Sequence, residues 1–246
     1  MLNFSMGFSS RSYTRSYLAV PGLPRGIKWL LIANVAMFLL HLFTALQPIL
    51  FELAFNPLQV LSRFTVWQPF TYSFVHFEFW EILWNMLTLW MFGSDIEQSW
   101  GTRRFLKFYL FCATGPALLA LLLAGIFGLA GPPLIGAWAP IYGILLVCAV
   151  LWPHRQVLFI IFPMQMKYFV LLVGAIALYF SLAGGTANLF LLSGMAFAYL
   201  FLKMPQTRAW DPAGAVHRAY QSWKLARARR KFQVYLKKKG RGPDIH

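Results

Sequence analysis

Charge is what this chain has least of. Only 12% of its 246 residues are charged, and acids number just seven. A soluble domain carries about a quarter charged residues, so a water-facing surface of ordinary polarity is excluded over most of the length. Cysteine is scarce too. Cys112 and Cys148 both lie inside apolar runs, which excludes a disulfide framework and reads as two buried small hydrophobes. No His, Cys, Asp or Glu set has ligand spacing, so no metal site and no cofactor are expected. A soluble domain of any size is not expected within these residues either. A cleavable signal peptide is not expected. Residues 1–26 are polar and contain Arg11, Arg15 and Arg25, and the first apolar run after them is long enough to span with no small-residue cleavage site behind it. An uncleaved anchor is the expectation.

What is abundant is apolar surface and positive charge. The chain is 59% hydrophobic, with 22 Lys and Arg and a net charge of +15, and its mean hydropathy is +0.59. Apolar and basic together fit an integral membrane protein with cationic cytoplasmic segments better than a nucleic-acid binder. A spanning helix needs about 20 apolar residues, fewer when its flanks snorkel. Six stretches qualify: Ile27 to about Leu46, about Phe79 to Gly93, Phe105 to Phe127, about Ala137 to Leu151, about Tyr168 to Leu182, and Ala187 to Leu202. With the N-terminus inside, 21 of the 22 basic residues fall on the cytoplasmic side, and Arg63 alone falls outside. This positive-inside bias predicts an all-α, polytopic bundle of six transmembrane helices with both termini cytoplasmic. The expected division is a cytoplasmic segment at 1–26, a membrane domain at 27–203 and a basic amphipathic tail at 204–246. The long outer segment from Gln47 to Glu78 is rich in Phe, Leu and Trp and is expected to lie in the outer interface.

Specific motifs surround the second stretch. Trp67-Gln68-Pro69-Phe70-Thr71-Tyr72-Ser73-Phe74-Val75-His76 leads into Glu81-Ile82-Leu83-Trp84-Asn85-Met86-Leu87, then Phe92-Gly93, Glu97, Trp100-Gly101 and Arg103-Arg104-Phe105. This pattern resembles the rhomboid family of intramembrane serine proteases over about residues 65–105, and more weakly over about 27–203. Pro163-Met164-Gln165-Met166-Lys167-Tyr168 and Ala187-Asn188, with Gly194 and Ala198 following, are similar to further family features. The resemblance implies a rhomboid-like six-helix bundle. It also implies a Ser nucleophile on the fourth helix, a His base on the sixth, and a His and an Asn on the second that stabilise the oxyanion.

Carried over position by position, that chemistry is erased. Gly-x-Ser-Gly reads Gly136-Ala137-Trp138-Ala139 here, so an indole stands where the nucleophile belongs, and Pro140 removes a further N–H. The base falls at Leu191, and the oxyanion histidine at Glu81, whose charge repels an oxyanion. Asn85 survives, with Tyr142 at an aromatic family position. No catalytic residue is expected, because nucleophile and base act as a unit. The candidate binding residues are Glu81, Asn85, Trp138, Tyr142 and Asn188. The candidate structural ones are His76, Glu97, Trp100, Gly101, Arg104 and Gly194. Ser193 is read as small-residue packing, and His41 as a histidine of the first span with no orienting partner.

The implied function is a proteolytically inactive member that binds transmembrane segments of client proteins in a bacterial inner membrane. Two alternatives stand beside it: a protease or hydrolase with a rearranged site, and a small-solute transporter, which gains from Glu81 but lacks inverted repeats. In the tail, Asp211-Pro212 reads as a helix start. The bases after it, interleaved with Tyr220, Trp223 and Phe232, suit anionic inner-leaflet lipid, with RNA or the ribosome as the competing partner.

Overall fold

A computed structural model describes residues 22–127, 133–159, 162–183 and 186–204. The tail and its expected helix start at Asp211 lie outside the described residues. Helices dominate: α1 (Arg25–His41), α2 (Gln47–Leu53), α3 (Pro57–Arg63), α4 (Gln68–Thr71), α5 (Phe79–Thr88), α6 (Ser94–Trp100), α7 (Thr102–Phe127), α8 (Trp138–Leu151), α9 (Met166–Leu182), α10 (Thr186–Leu192) and α11 (Gly194–Lys203). A two-stranded antiparallel hairpin, β1 (Gln156–Phe159) with β2 (Phe162–Gln165), joins α8 to α9 and pairs Gln156 with Gln165. Among the described residues, one helix, Thr102–Ile126, is by length and composition long and apolar enough to cross a membrane by itself. Trp138–Leu151, Met166–Leu182 and Ala187–Lys203 are shorter apolar helices.

α8 is apolar on every side and therefore belongs in the middle. Ala139, Ile141, Ile144, Val147 and Cys148 are buried in it, and Cys112 of α7 is buried beside it; both cysteines are free. α11 lies against α8 so closely that a Cβ on Gly194 would overlap the Ala139 carbonyl. Further along the same seam, Gly143 faces Cys112 and Ala198. Small residues are what allow helix backbones to approach this closely.

Two elements depart from the sequence expectation. The second apolar stretch does not stop at Gly93. A π-helical turn, Leu89–Gly93, carries α5 into α6, whose polar residues Ser94, Asp95 and Glu97 are buried. They fall past the expected end of the second span because their partners are distant in sequence. Glu97 accepts the N–H groups of Gly26 (2.8 Å) and Ile27 (2.7 Å) and the Thr102 hydroxyl (2.6 Å). The α1 N-terminus has Pro24 at its cap position and no side-chain cap of its own, so Glu97 satisfies its orphan donors from across the bundle. The last stretch is likewise interrupted. α10 ends at Leu192, and the Ser193 hydroxyl donates to the Phe190 carbonyl at 2.6 Å before α11 begins.

Gly101 takes φ +82°, a value that favours glycine, and ends α6 so that α7 starts one residue later. Trp100 stacks on Phe201 at 6.2 Å and carries the Arg104 guanidinium 4.3 Å above its ring. Arg155, at the start of the hairpin, pairs with Asp95 of α6.

Candidate functional site

At the opposite end of the bundle the segment from Gln47 to Glu78 folds into α2, α3 and α4 and fixes the loop that precedes α8. Asn56 caps α3 through Leu58 N–H (3.0 Å), with Pro57 in its first turn. Gln68 is fully buried; it accepts from Asn56 N–H (3.0 Å) and donates to Gln59 (3.0 Å) and the Glu52 carbonyl (3.2 Å). Phe55 and Leu134 exchange two backbone hydrogen bonds of 3.0 and 2.8 Å, and Gly136 N–H donates to the Tyr72 carbonyl at 3.1 Å. The Tyr72 hydroxyl in turn reaches the Ala113 carbonyl of α7 at 2.6 Å. The segment Leu134 to Ala137 is thereby held from one side.

α5 closes it from the other side. Gly136 sits at φ +82°, and the Glu81 carboxylate occupies the space where a Cβ would be. The edge of the Trp138 indole borders the same point, and its N–H is directed at the Glu81 carboxylate. Asn85, one turn further along α5, is fully buried and donates its amide N–H to His76 Nε2 at 3.2 Å. The same Nε2 accepts Ala137 N–H at 3.3 Å. A backbone N–H can only donate, so Nε2 is the acceptor, and Nδ1 carries the proton toward the Phe74 carbonyl at 3.4 Å. His76 is therefore neutral. Burial pushes its imidazole down to about 4, against a partial offset from the Phe74 carbonyl. It lies in the extended approach to α5.

On the far side of the indole, Trp138 stacks on Tyr142 with ring centroids 5.9 Å apart. Both rings belong to the apolar cluster that contains Ala139, Ala117 and Leu191, the last only 5% exposed. The two positions where the resemblance implies nucleophile and base thus lie in one apolar cluster, with Glu81 and Asn85 along its α5 side. Asn188 is half-buried on α10, with no hydrogen-bond partner among the described residues. His41 packs edge-on to Phe77 at 4.9 Å, with its Nδ1 buried and unpartnered. Glu97, Trp100, Gly101 and Arg104 all sit at the other end of the bundle, and no group of three metal-binding side chains occurs among the described residues. An apolar groove of about 680 Å³ between α7, α9 and α10, lined by Leu119, Leu123, Leu171, Leu178 and Phe190, does not include Glu81, Asn85 or Trp138.

Sequence reading missed Gln68 and the backbone pairing of Phe55 with Leu134. Neither leaves a local signature, since a glutamine before a proline says nothing of its three partners nine to sixteen residues earlier. The joint contact of Glu81 with Gly136 and Trp138 was equally hidden, although Glu81 and Trp138 were each suspect alone.

The chain also has recognisable relatives. The family model of the rhomboid domain matches residues 63–204. It is 33% identical over 107 residues to Rhomboid protein 1, mitochondrial, of Saccharomyces cerevisiae, which is 43% of this chain and 31% of that protein. It is 35% identical over 78 residues to Rhomboid-like protein 15 of Arabidopsis thaliana, 32% of this chain and 19% of that one. Rhomboid protease GlpG of Klebsiella pneumoniae is 32% identical over 73 residues, 30% of this chain and 26% of the protease. The match spans under a third of the length of each of these relatives. The domain match covers more than half of the chain, from the outer segment through α11, and so takes in both ends of the site described above. This chain is a membrane protein of the rhomboid family.

Proposed function

We propose that this protein is a six-span rhomboid-fold protein without protease chemistry, and that it binds transmembrane segments of client proteins. The observation that carries the reading is the replacement of three separate catalytic positions by one packed group. Trp138 and Leu191 share an apolar cluster, and Glu81 fills the space over Gly136. A hydrolytic site needs a nucleophile beside a base and donors aimed at the oxyanion. Here the indole cannot attack a carbonyl, leucine cannot take a proton, and the carboxylate repels the developing charge. The scaffold around them persists in His76, Asn85, Glu97 and Gly194. In this reading residues 27–203 form the membrane domain of a bacterial inner-membrane protein. The segments 1–26 and 204–246 face the cytoplasm, and the basic tail lies on anionic inner-leaflet lipid.

Two measurements on the full-length protein test the reading. A fluorophosphonate probe leaves the purified protein unlabelled, and a photoreactive residue in place of Trp138 captures membrane proteins in native membranes. Serine-specific labelling would establish a rearranged hydrolase. Capture at position 138 no different from that at an exposed apolar position outside the groove, such as Leu122, would remove the client-binding role.

A further inference from the structure

Charge is divided unevenly between the two ends of the bundle. Among the described residues, the inner end holds Arg25, Lys28, Arg103, Arg104, Lys107, Arg155, Lys167 and Lys203 beside Asp95 and Glu97. The outer end holds Glu52, Glu78 and Glu81 against the single base Arg63. Arg63 approaches Glu52 at 3.6 Å, and no described cation lies within ion-pair distance of Glu78 or Glu81. In a chain of net charge +15, the mouth over the site is locally negative.

The site below that mouth is rich in acceptors and π faces. The Glu81 carboxylate lies against Gly136 and the Trp138 indole, and Trp138 is stacked on Tyr142. One turn along α5, Asn85 Oδ1 is buried with no partner, because the hydrogen bond to His76 uses only the amide nitrogen. A carboxylate that is half-buried and lacks a counter-ion is costly in a membrane-embedded site. An anion is excluded by Glu81, and a neutral amide leaves the carboxylate unpaired. An ammonium or guanidinium group pairs with the carboxylate, is attracted to the aromatic faces and supplies donors to Asn85 Oδ1.

We propose that this site receives the cationic side chain, Lys or Arg, of a residue flanking the outer end of a client transmembrane segment. The inference rests on the client-binding reading above and names the chemistry that recognises the client. Such residues have long apolar stems that lie along a protein surface while the head reaches a polar site. A phospholipid amine offers similar chemistry, but its phosphate lies two carbons from the nitrogen and is repelled by Glu78 and Glu81.

The test uses the full-length protein reconstituted in phosphatidylcholine vesicles with a photoreactive single-span Leu/Ala peptide carrying one Lys at its outer end. A second peptide has Gln at that position. The Lys peptide is expected to bind roughly tenfold more tightly, the size of one hydrogen-bonded charge pair, and Glu81→Gln removes the difference. The peptide comparison uses the unaltered protein, so it stands even if the variant folds poorly. Equal binding of the two peptides overturns the cation site and leaves client binding standing. Binding of neither overturns both. If replacing half of the lipid by phosphatidylethanolamine abolishes the Lys preference, the site takes a lipid amine and the proposal fails.

Discussion

Replacing Glu97 by alanine should detach the first helix before it unfolds the rest. Its carboxylate is 2% exposed and accepts three short hydrogen bonds, from Gly26 N–H, Ile27 N–H and the Thr102 hydroxyl. A hydrogen bond to a charged group contributes about 1.5–3 kcal/mol, and an orphaned buried donor costs about 1–3 kcal/mol. The two N–H groups cannot turn to water, and the charge also favours the positive end of α1. Because the three bonds share one carboxylate they do not add fully, and Glu97→Ala is expected to cost about 4–6 kcal/mol. Set against total stabilities of about 5–15 kcal/mol, that loss is severe. Glu97→Gln is the graded control. Its oxygen can keep Gly26 and Thr102, but its amide meets the Ile27 N–H donor to donor, for a loss of about 2 kcal/mol. Unfolding of the full-length protein in mixed micelles, followed by tryptophan fluorescence against added dodecyl sulfate, gives the free energies. Tryptic cleavage after Arg25 and Lys28 reports opening of α1 specifically and should accelerate in the same order. If Glu97→Ala unfolds within about 1 kcal/mol of the parent and Arg25 stays equally resistant, the cross-bundle cap carries no weight and the argument is wrong.

Other consequences are as direct. Gly194→Ala drives a Cβ into the Ala139 backbone, which cannot swing aside. A loss of about 1–3 kcal/mol is expected in the same assay, and an unchanged midpoint would mean that the α8–α11 seam is looser than described. Gly136→Ala meets both a positive φ and the Glu81 carboxylate, so it should displace Glu81 and abolish any Lys-peptide preference even where the protein still folds. Acidification tests His76. Its folded value is depressed to about 4 from an ordinary 6.5, so the unfolded chain binds the proton first. Stability should be complete above pH ~6.5 and fall by up to about 3 kcal/mol as pH drops to ~4; a His76→Asn variant that keeps the same slope would assign it elsewhere. Trp138→Ser alone should remain unreactive to fluorophosphonates, because Leu191 offers no base. Labelling of that single variant would place a base elsewhere within reach of position 138 and refute the argument.

Apolar length located the long helices α1, α7, α8 and α9 to within a few residues, since long runs of Leu, Phe and Ala leave the backbone little alternative to a helix in a bilayer. The boundaries failed where polar residues are buried by partners far along the chain. Ser94, Asp95 and Glu97 lie past the expected end of the second span, yet they continue its helix, and Glu97 is bound to residues 70 and 71 positions earlier. His76 reads only as a structural residue ahead of the second span, and nothing in the sequence shows that it bridges Asn85 to Ala137. At the site, each unusual side chain stood out individually against the family pattern. Their assembly did not, because the contact of Glu81 with Gly136 depends on a backbone torsion and on a loop held by Phe55 and Tyr72. No local sequence rule encodes that arrangement.

The π-helical turn at Leu89–Gly93 resets the angular phase of the helix it joins. In an uninterrupted α-helix each residue advances about 100°, so the twelve steps from Asn85 to Glu97 would leave the two side chains about 120° apart. A single π turn accommodates one extra residue. The effective count becomes eleven, and the difference shrinks to about 20°. One helical stripe can therefore carry the site at one end and the α1 clasp at the other. Deleting a single residue from Leu89–Gly93 would restore plain α-helix and keep the two aligned, whereas inserting one more would rotate one of them out of alignment by about 100° while removing no side chain from either.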